Sequence, residues 1–330
     1  MALWLYVARR LAVLVPTLFF VSVLIFSLQQ LLPGDAAVAM AGEENDPTAV
    51  AAIRARYHLD RPVPVQYGLW LGRVLVGDFG ESLRSRIPVR ELLASKLPVT
   101  VELALCSMLI ALVVGIPAGI LSATRKGTMV DVAANFLALS GLSVPHFWLG
   151  IMLILLFAVR LGWLPASGYV PPWEDLRQNL TTILLPSFVL GTGVAGVIMR
   201  HTRSAMLQTL GADYVRTARA KSVPEHLVVL KHALRNALIP IITLGAIEFG
   251  RLLSGAVLTE QVFAIPGFGK LLVDGVFNRD YAVVQAVVLV SASLYVLLNL
   301  GADVLYFLAN PRLRGSAGAR AARRPSGRPR

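Results

Sequence analysis

Charge and cysteine are scarce in this sequence. Only 15% of its 330 residues are Asp, Glu, Lys or Arg and 56% are hydrophobic, whereas soluble domains carry about 25% charged residues. The single cysteine, Cys106, excludes a disulfide framework and a metal site built from cysteines. It lies within an apolar run, where we interpret it as a small helix residue. This composition argues against a soluble protein and favours an integral membrane protein.

Motifs of catalysis are also missing. The sequence contains no G-x-x-x-x-G-K-[ST] phosphate loop, no H-E-x-x-H, no G-x-S-x-G and no cluster of paired carboxylates on one helix. We therefore expect no catalytic residue, no metal site and no cofactor in this chain, which disfavours a membrane enzyme. We also find no internal repeat of the kind typical of secondary transporters, which makes that class less favoured.

Long apolar runs account for most of the chain. Each of five runs has no charged residue and reaches the roughly 20 residues that cross about 30 Å of hydrocarbon. A sixth run, 237–259, is interrupted only by Glu248 and Arg251. We predict an all-α membrane protein with six transmembrane helices, the first of them too long for a cleaved signal peptide. The uninterrupted runs are 11–32, 103–124, 132–159, 180–199 and 281–302.

Basic residues are concentrated in segments that fall on one side of a six-helix arrangement. Segment 200–235 has seven basic and two acidic residues, the tail from Asn310 has seven arginines, and segment 33–100 carries eight residues of each sign. Because Lys and Arg mark the cytoplasmic side, we predict that both termini are cytoplasmic. The net charge of +12 follows from this topology, so we expect a lipid bilayer and no nucleic acid as a partner.

These patterns divide the chain into four parts. We predict a first transmembrane helix in 1–32, an extracytoplasmic segment in 33–100, a five-helix core in 101–309 and a basic cytoplasmic tail in 310–330. Within the extracytoplasmic segment, "PTAVAAIRARYHL" predicts a helix with Val50, Ile53 and Tyr57 on one face. A second, interfacial helix is predicted in "VQYGLWLGRVL", since Tyr67 and Trp70 suit a headgroup boundary.

The stretch "GADYVRTARAKSVPEHLVVLKHALRNALIP" is a polar, basic segment between two apolar runs. Ser222 and Glu225 have the spacing of a capping box, which predicts a helix from Val223 and an elbow between two short helices. The second helix carries Leu227, Leu230 and Leu234 at helical spacing. This apolar stripe suits either a groove on a partner protein or the bilayer surface, and the residues alone favour neither.

Polar residues inside the runs are few. The i, i+3 spacing of Glu248 and Arg251 allows them to pair, either as residues lining a substrate pathway or as a structural ion pair. We interpret His146 as a structural histidine with satisfied hydrogen bonds. Asp303 is interpreted as an anchor for donors from a loop, and Glu260 precedes a turn in "QVFAIPGFG".

Several motifs together resemble those of permease subunits of binding-protein-dependent ABC importers, in the dipeptide, oligopeptide, glutathione and nickel group. The resemblance covers about residues 1 to 314. Its motifs are "LLPGD", "YHLDRPVPVQYGLWL", "GDFGESL", "LPVTVELAL", "GLSVPHFWLG", "LGWLPASGY", "ILLPSFVLG", "TRSAML", "DYVRTARAKS…VLKHALRNALIP", "TEQVFAIPGFGKLLVDGVFNRDY" and "NPRLR".

The resemblance implies a type I ABC importer permease in the bacterial inner membrane. Its expected partners are a homologous second permease, two cytoplasmic ATPase subunits that bind ATP and Mg, and an extracytoplasmic substrate-binding protein. The polar segment would dock in a groove of an ATPase, with the small Ala218 packed closely there, and Ser222 stands where the family usually has glycine. The residues assigned to this coupling are Tyr214, Arg216, Thr217, Ala218, Lys221, Ser222, Glu225, Leu227 and Leu230.

The substrate is open at this level. Peptide or glutathione is favoured over nickel, because the runs hold no cluster of His, Cys or Met that would suggest a metal. A nickel or oligosaccharide permease of the same family remains the alternative, and a secondary transporter is the less favoured one.

Overall fold

The computed structural model describes residues 3–30, 38, 46–56 and 58–309. Within these ranges the regular structure is helical and contains no strand. The helices are α1 Leu3–Gln30, α2 Pro47–Arg56, α3 Val63–Leu75, α4 Val89–Thr124, α5 Met129–Ser143, α6 His146–Leu153 with the π-helix Ile154–Arg160, α7 Leu176–Leu210, α8 Asp213–Ala220, α9 Glu225–Leu227 with the π-helix Val228–Ala233, α10 Leu234–Gly255, α11 Val257–Val262, α12 Phe268–Phe277 and α13 Tyr281–Ala309.

Among the described residues, four continuous helices, α1, α4, α7 and α13, are long and apolar enough to cross a membrane, and two bent helix pairs bring the number to six if each pair is one span. The predicted helix over 132–159 is not continuous, because α5 and α6 meet at an angle of 100°. The cause is Pro145, which disfavours a helical conformation of the residue before it. Val144 is accordingly extended, with φ −76° and ψ 125°.

Helices α4 and α7 form the centre of the bundle, and glycines allow them to pack closely. A Cβ atom at Gly119 would lie 2.7 Å from the Met199 carbonyl oxygen, and one at Gly115 would lie 2.8 Å from that of Ala195. Small residues are the usual means of close helix packing in membranes, where apolar side chains gain little by leaving lipid. Larger residues at either position would force the two helices apart.

The bundle has two ends that differ in what packs there. At one, called the far end below, Val89 of α4 packs with Phe268 and Val283. At the other, the elbow end, Ala123 at the end of α4 packs with Met206 and Val229.

The N-terminal part of α1 and the C-terminal part of α13 both lie at the elbow end. Asp303, twenty residues along α13 from Val283, accepts a hydrogen bond of 2.9 Å from Arg10 of α1. The predicted anchoring role of Asp303 is confirmed, but its donor is on a helix and not on a loop.

The segment between α1 and α4 contains both predicted helices, α2 and α3. Tyr67 and Trp70 of α3 contact α1, since each ring centroid lies 5.5 Å from that of Phe26. Helix α4 begins at Val89, so the last part of the predicted segment 33–100 is already helical. Tyr57, predicted to share a face of α2, lies outside the described residues.

Polar contacts fasten the loops at the far end. Glu260 is fully buried and accepts hydrogen bonds from Thr100 Oγ1 at 2.6 Å and from the Lys270 amide at 2.8 Å. The carboxylate thus satisfies a free N–H at the start of α12. Ser82 and Asp280 form a second buried contact, which ties the segment between α3 and α4 to the start of α13.

Candidate functional site

Residues 213–236, which we call the elbow, turn sharply between α8 and α9. The predicted capping box is wrong, because Ser222 ends α8 and does not begin the next helix. Its φ is +55°, and its amide donates to the Arg219 carbonyl while the Val223 amide donates to that of Ala218. These two bonds define a Schellman motif, whose left-handed position usually holds glycine. Serine adopts that conformation at a cost of roughly 1–2 kcal/mol.

Glu225 fastens the turn from outside. Its two carboxylate oxygens accept hydrogen bonds from Arg219, at 2.6 Å from Nη2 and 3.1 Å from Nε. Glu225 therefore pairs with a side chain and not, as predicted, with the backbone of Ser222. The helix begins at Glu225, after Pro224, and not at Val223. This two-point ion pair holds α8 and α9 at a defined angle.

The inside of the elbow is a small apolar cluster. Val215, Ala218 and Val228 are buried against one another, with Val223 packed beside them. Ala218, which the family resemblance assigns to the contact with a partner, is only 8% exposed and is covered by the elbow itself. Its small size is needed for the close approach of α8 to the helix after the turn.

The outside of the elbow is basic and carries two unpartnered apolar side chains. Leu227 is 41% exposed and Leu230 is 57% exposed. Leu234 does not continue this stripe, because it packs beside Ala123 and Met206 at the elbow end. The π-helix over Val228–Ala233 shifts the register, so Val228, Val229 and Ala233 form the buried face instead.

Six other residues of the elbow that are assigned to coupling also have exposed side chains. Tyr214, Arg216, Thr217, Lys221, Ser222 and Glu225 are exposed. Tyr214 is held in place, since its hydroxyl accepts a hydrogen bond of 2.9 Å from Asn236. Thr217 donates to the Asp213 carbonyl at 3.0 Å, which stabilises the first turn of α8. The elbow therefore presents a preformed surface.

A partly buried ion pair at the elbow end was missed by the sequence analysis. Arg203 of α7 donates to both carboxylate oxygens of Asp131 at the start of α5, at 2.8 and 2.9 Å. Asn135 and the Gly127 amide also donate to this carboxylate, at 2.8 and 3.0 Å. Ser122 of α4 donates to it as well. The network joins the ends of α4, α5 and α7, but no sequence pattern relates residues 72 positions apart.

A pocket of about 270 Å³, called the membrane pocket below, lies among α5, α6, α7, α10 and α11. The predicted pairing of Glu248 and Arg251 is confirmed by a distance of 3.2 Å between Glu248 Oε1 and Arg251 Nη1. The Glu248 side chain is 8% exposed and that of Arg251 66% exposed. The lining includes Leu142, His146, Gly193, Glu248, Arg251 and Thr259.

His146 stands at the bend between α5 and α6 and forms part of the pocket wall. A Cβ atom at Gly193 would lie 2.7 Å from its Nε2 atom, so glycine is needed where the ring meets α7. That His146 is a structural histidine with satisfied hydrogen bonds stays a prediction. The proline-induced bend thus brings a polar ring to the pocket.

Comparisons with known proteins give matches to one family along nearly the whole chain. The family model "Binding-protein-dependent transport system inner membrane component" matches residues 115–315, and the corresponding N-terminal model matches residues 3–104. The glutathione transport system permease protein GsiC of Salmonella typhimurium is 45% identical over 309 residues, covering 94% of this chain and 98% of the relative. The di/tripeptide transport system permease protein DppB of Pseudomonas aeruginosa is 43% identical over 330 residues, with the same coverage.

A solved structure shares the fold. The MetNI methionine ABC transporter in an inward-facing conformation superposes with a TM-score of 0.56 at 19% identity. The match covers 66% of this chain and 96% of the other. The similarity to this structure concerns the arrangement of the helices, whereas the family and relative matches concern the sequence.

Proposed function

The chain belongs to the family of binding-protein-dependent transport system inner membrane components, and from this premise we propose that it is the permease subunit of an ATP-driven importer for di- or oligopeptides or glutathione. The observation that carries the proposal is its identity of 43–45% to a di/tripeptide and a glutathione permease over 94% of its length. The chain is a multi-pass protein of the inner membrane. It acts as a transport subunit and not as an enzyme.

The elbow is the proposed site of contact with an ATPase subunit. This role is supported by a preformed turn, which the ion pair between Arg219 and Glu225 holds together. It is also supported by Leu227 and Leu230, which are exposed beside basic residues. An apolar pair on a rigid helical surface is suited to a groove on a folded partner. ATP and Mg would be bound by two such ATPase subunits, outside this chain.

The mechanism follows from how the elbow is attached. It continues directly into α10, and its inner face packs on α4 and α7 at the elbow end. Closure of the ATPase subunits on ATP would move the elbow and tilt these helices together. With a homologous second permease, the tilt would open the pathway alternately to the two sides. An extracytoplasmic binding protein would deliver substrate at the far end.

Reconstitution tests the function. We expect liposomes that contain this chain, its second permease and its ATPase subunits to accumulate a labelled dipeptide or glutathione when ATP and loaded binding protein are supplied. Without either ATP or the binding protein, uptake should stop. Uptake of nickel or an oligosaccharide in place of both peptides would overturn the substrate assignment, and uptake without ATP would overturn the importer class.

The orientation is part of the proposal, with the elbow end in the cytoplasm. Its support is the concentration of Lys and Arg in 200–235. In a variant with Cys106 replaced, we expect a cysteine at the exposed position Ser167 to react with an impermeant maleimide in intact cells. A cysteine at the exposed position His226 should react only after lysis. If position 226 were labelled from outside in intact cells, the orientation would be the opposite of the one proposed.

A further inference from the structure

The guanidinium of Arg251 is unusually available for a charged group in a membrane-spanning helix. Its side chain is 66% exposed and faces the membrane pocket, while its partner Glu248 is buried. An arginine in a span normally faces a cavity or another polar group, because its charge is costly in lipid. A guanidinium has five N–H donors, and the contact with Glu248 occupies Nη1, so other donors remain on a side chain that lines the pocket.

The rest of the pocket defines what could bind beside this charge. Leu142, Leu190 and Leu252 form apolar walls, and His146 and Thr259 add polar edges. The buried Glu248 fixes the guanidinium and is too enclosed to bind an amine itself. A volume of about 270 Å³ lies below the usual range of roughly 300–1,000 Å³ for ligand pockets. The pocket therefore suits one end of a ligand, with a negative charge and a partly apolar body.

We propose that Arg251 binds the carboxylate of the transported substrate, so that the membrane pocket is a transient binding site for the carboxyl end of a peptide or of glutathione. This inference rests on the proposed function, because it assumes that the cargo passes through this bundle. A guanidinium matches a carboxylate with two parallel hydrogen bonds, which a neutral end group cannot reproduce.

The position of this carboxylate-binding site suits a site that binds the substrate and then releases it during transport. Arg251 lies on α10, which begins within the elbow and bends by 52° between Leu238 and Pro240, whereas His146 and Gly193 lie on α6 and α7. Movement of the elbow would therefore shift the guanidinium relative to the opposite wall of the pocket. The same movement that opens the pathway would change the fit of the carboxylate.

The test compares a dipeptide that has a free C-terminal carboxylate with the same dipeptide as its C-terminal amide. The complete reconstituted importer is used, with binding protein loaded to the same measured occupancy by either peptide, so that selection by the binding protein is removed. We expect wild type to carry the acid at least about tenfold faster than the amide, as for the loss of a hydrogen bond to a charged group.

The informative variant is the double change Glu248→Gln and Arg251→Gln, because it leaves no lone charge in the membrane. Its uptake of the acid should fall at least about tenfold to the level of the amide, whose uptake should change little. The control Arg177→Gln removes an exposed arginine at the far end and should keep the wild-type ratio. Arg251→Lys keeps the charge and should give an intermediate ratio, because lysine lacks the fork of two parallel donors.

The outcomes separate the two proposals. If wild type carries neither peptide, the proposed function fails. If the double variant is active and keeps the wild-type ratio of acid to amide, Arg251 does not bind the carboxylate and the inference is overturned. Should the double variant not assemble, Arg251→Lys decides, since an unchanged ratio in that variant also overturns the inference.

Discussion

Replacing both Leu227 and Leu230 with alanine is expected to weaken the binding of an ATPase subunit to this permease by at least about tenfold. The two side chains are exposed, so their loss should cost the elbow little stability. Fully burying a leucine side chain contributes about 1.5–3 kcal/mol, so truncating two leucines that are buried at an interface exceeds the 1.4 kcal/mol that corresponds to tenfold in affinity. The measurement is the ATPase retained on the purified permease, together with stimulated hydrolysis and uptake.

A matched control uses the same chemical change elsewhere. Leu176 is 60% exposed at the start of α7, at the end of that helix away from the elbow. Leu176→Ala should retain the ATPase at the wild-type level. If the elbow variant keeps full ATPase binding, stimulated hydrolysis and uptake, Leu227 and Leu230 are not the contact, and the elbow is only a basic loop beside the membrane.

The choice of these leucines depends on the structure. The family resemblance places the small Ala218 in the contact, so a bulky residue there is the change that the sequence alone suggests for blocking it. Because Ala218 packs against Val215 and Val228, a glutamate there would open the elbow from within. A loss of transport in that variant would not distinguish a damaged elbow from a damaged interface. Replacing exposed side chains leaves the packing of the elbow intact, so a loss of transport then indicates a damaged interface.

Local patterns in the sequence predicted local structure well. The apolar runs located the long helices, because a span is a matter of length and composition within one segment. Glu248 and Arg251 were predicted to pair because residues three apart on a helix are neighbours, and the pair is present. The family resemblance likewise agrees with the matched family and its relatives.

Competing interactions explain where local patterns failed. Ser222 and Glu225 have capping-box spacing, but Glu225 binds the charged Arg219 and Val223 packs on Ala218, which together place Ser222 in the left-handed conformation. The run 132–159 has the composition of one helix, but Pro145 divides it. In both cases a single residue or a contact across the turn outweighs the pattern of the segment.

Contacts between distant segments could not be read from one sequence. Asp131 and Arg203 lie in separate motifs, and neither has a neighbour that suggests the other. Their pairing depends on α7 crossing α5 near the elbow, which is known only from the fold. The network connects the elbow end of three helices, so it would carry motion of the elbow into α5.

Removing one partner of this network is therefore expected to damage both stability and transport. Arg203→Ala leaves the buried carboxylate of Asp131 without its ion partner, and Asp131→Ala leaves the partly buried guanidinium of Arg203 without its own, and either is more harmful than removing both. We expect each single change to lower the midpoint of thermal unfolding in detergent by at least about 5 °C, and the double change to lower it less. Uptake per ATP hydrolysed should fall at least about tenfold in the single variants, because α5 would no longer follow the elbow.

The exposed pair Asp213 and Arg216 is the matched control for stability. Its atoms are 3.5 Å apart and its side chains are 97% and 75% exposed, so removing both should shift the midpoint by no more than about 1 °C. If the single changes at Asp131 and Arg203 lower the midpoint but leave uptake per ATP normal, the network only holds the fold. If their effects on the midpoint simply add in the double variant, the two side chains do not act as a pair. A fall in uptake per ATP that is larger than the loss of assembled protein, and that persists in the double variant, is the result that identifies the network as the link between the elbow and the bundle.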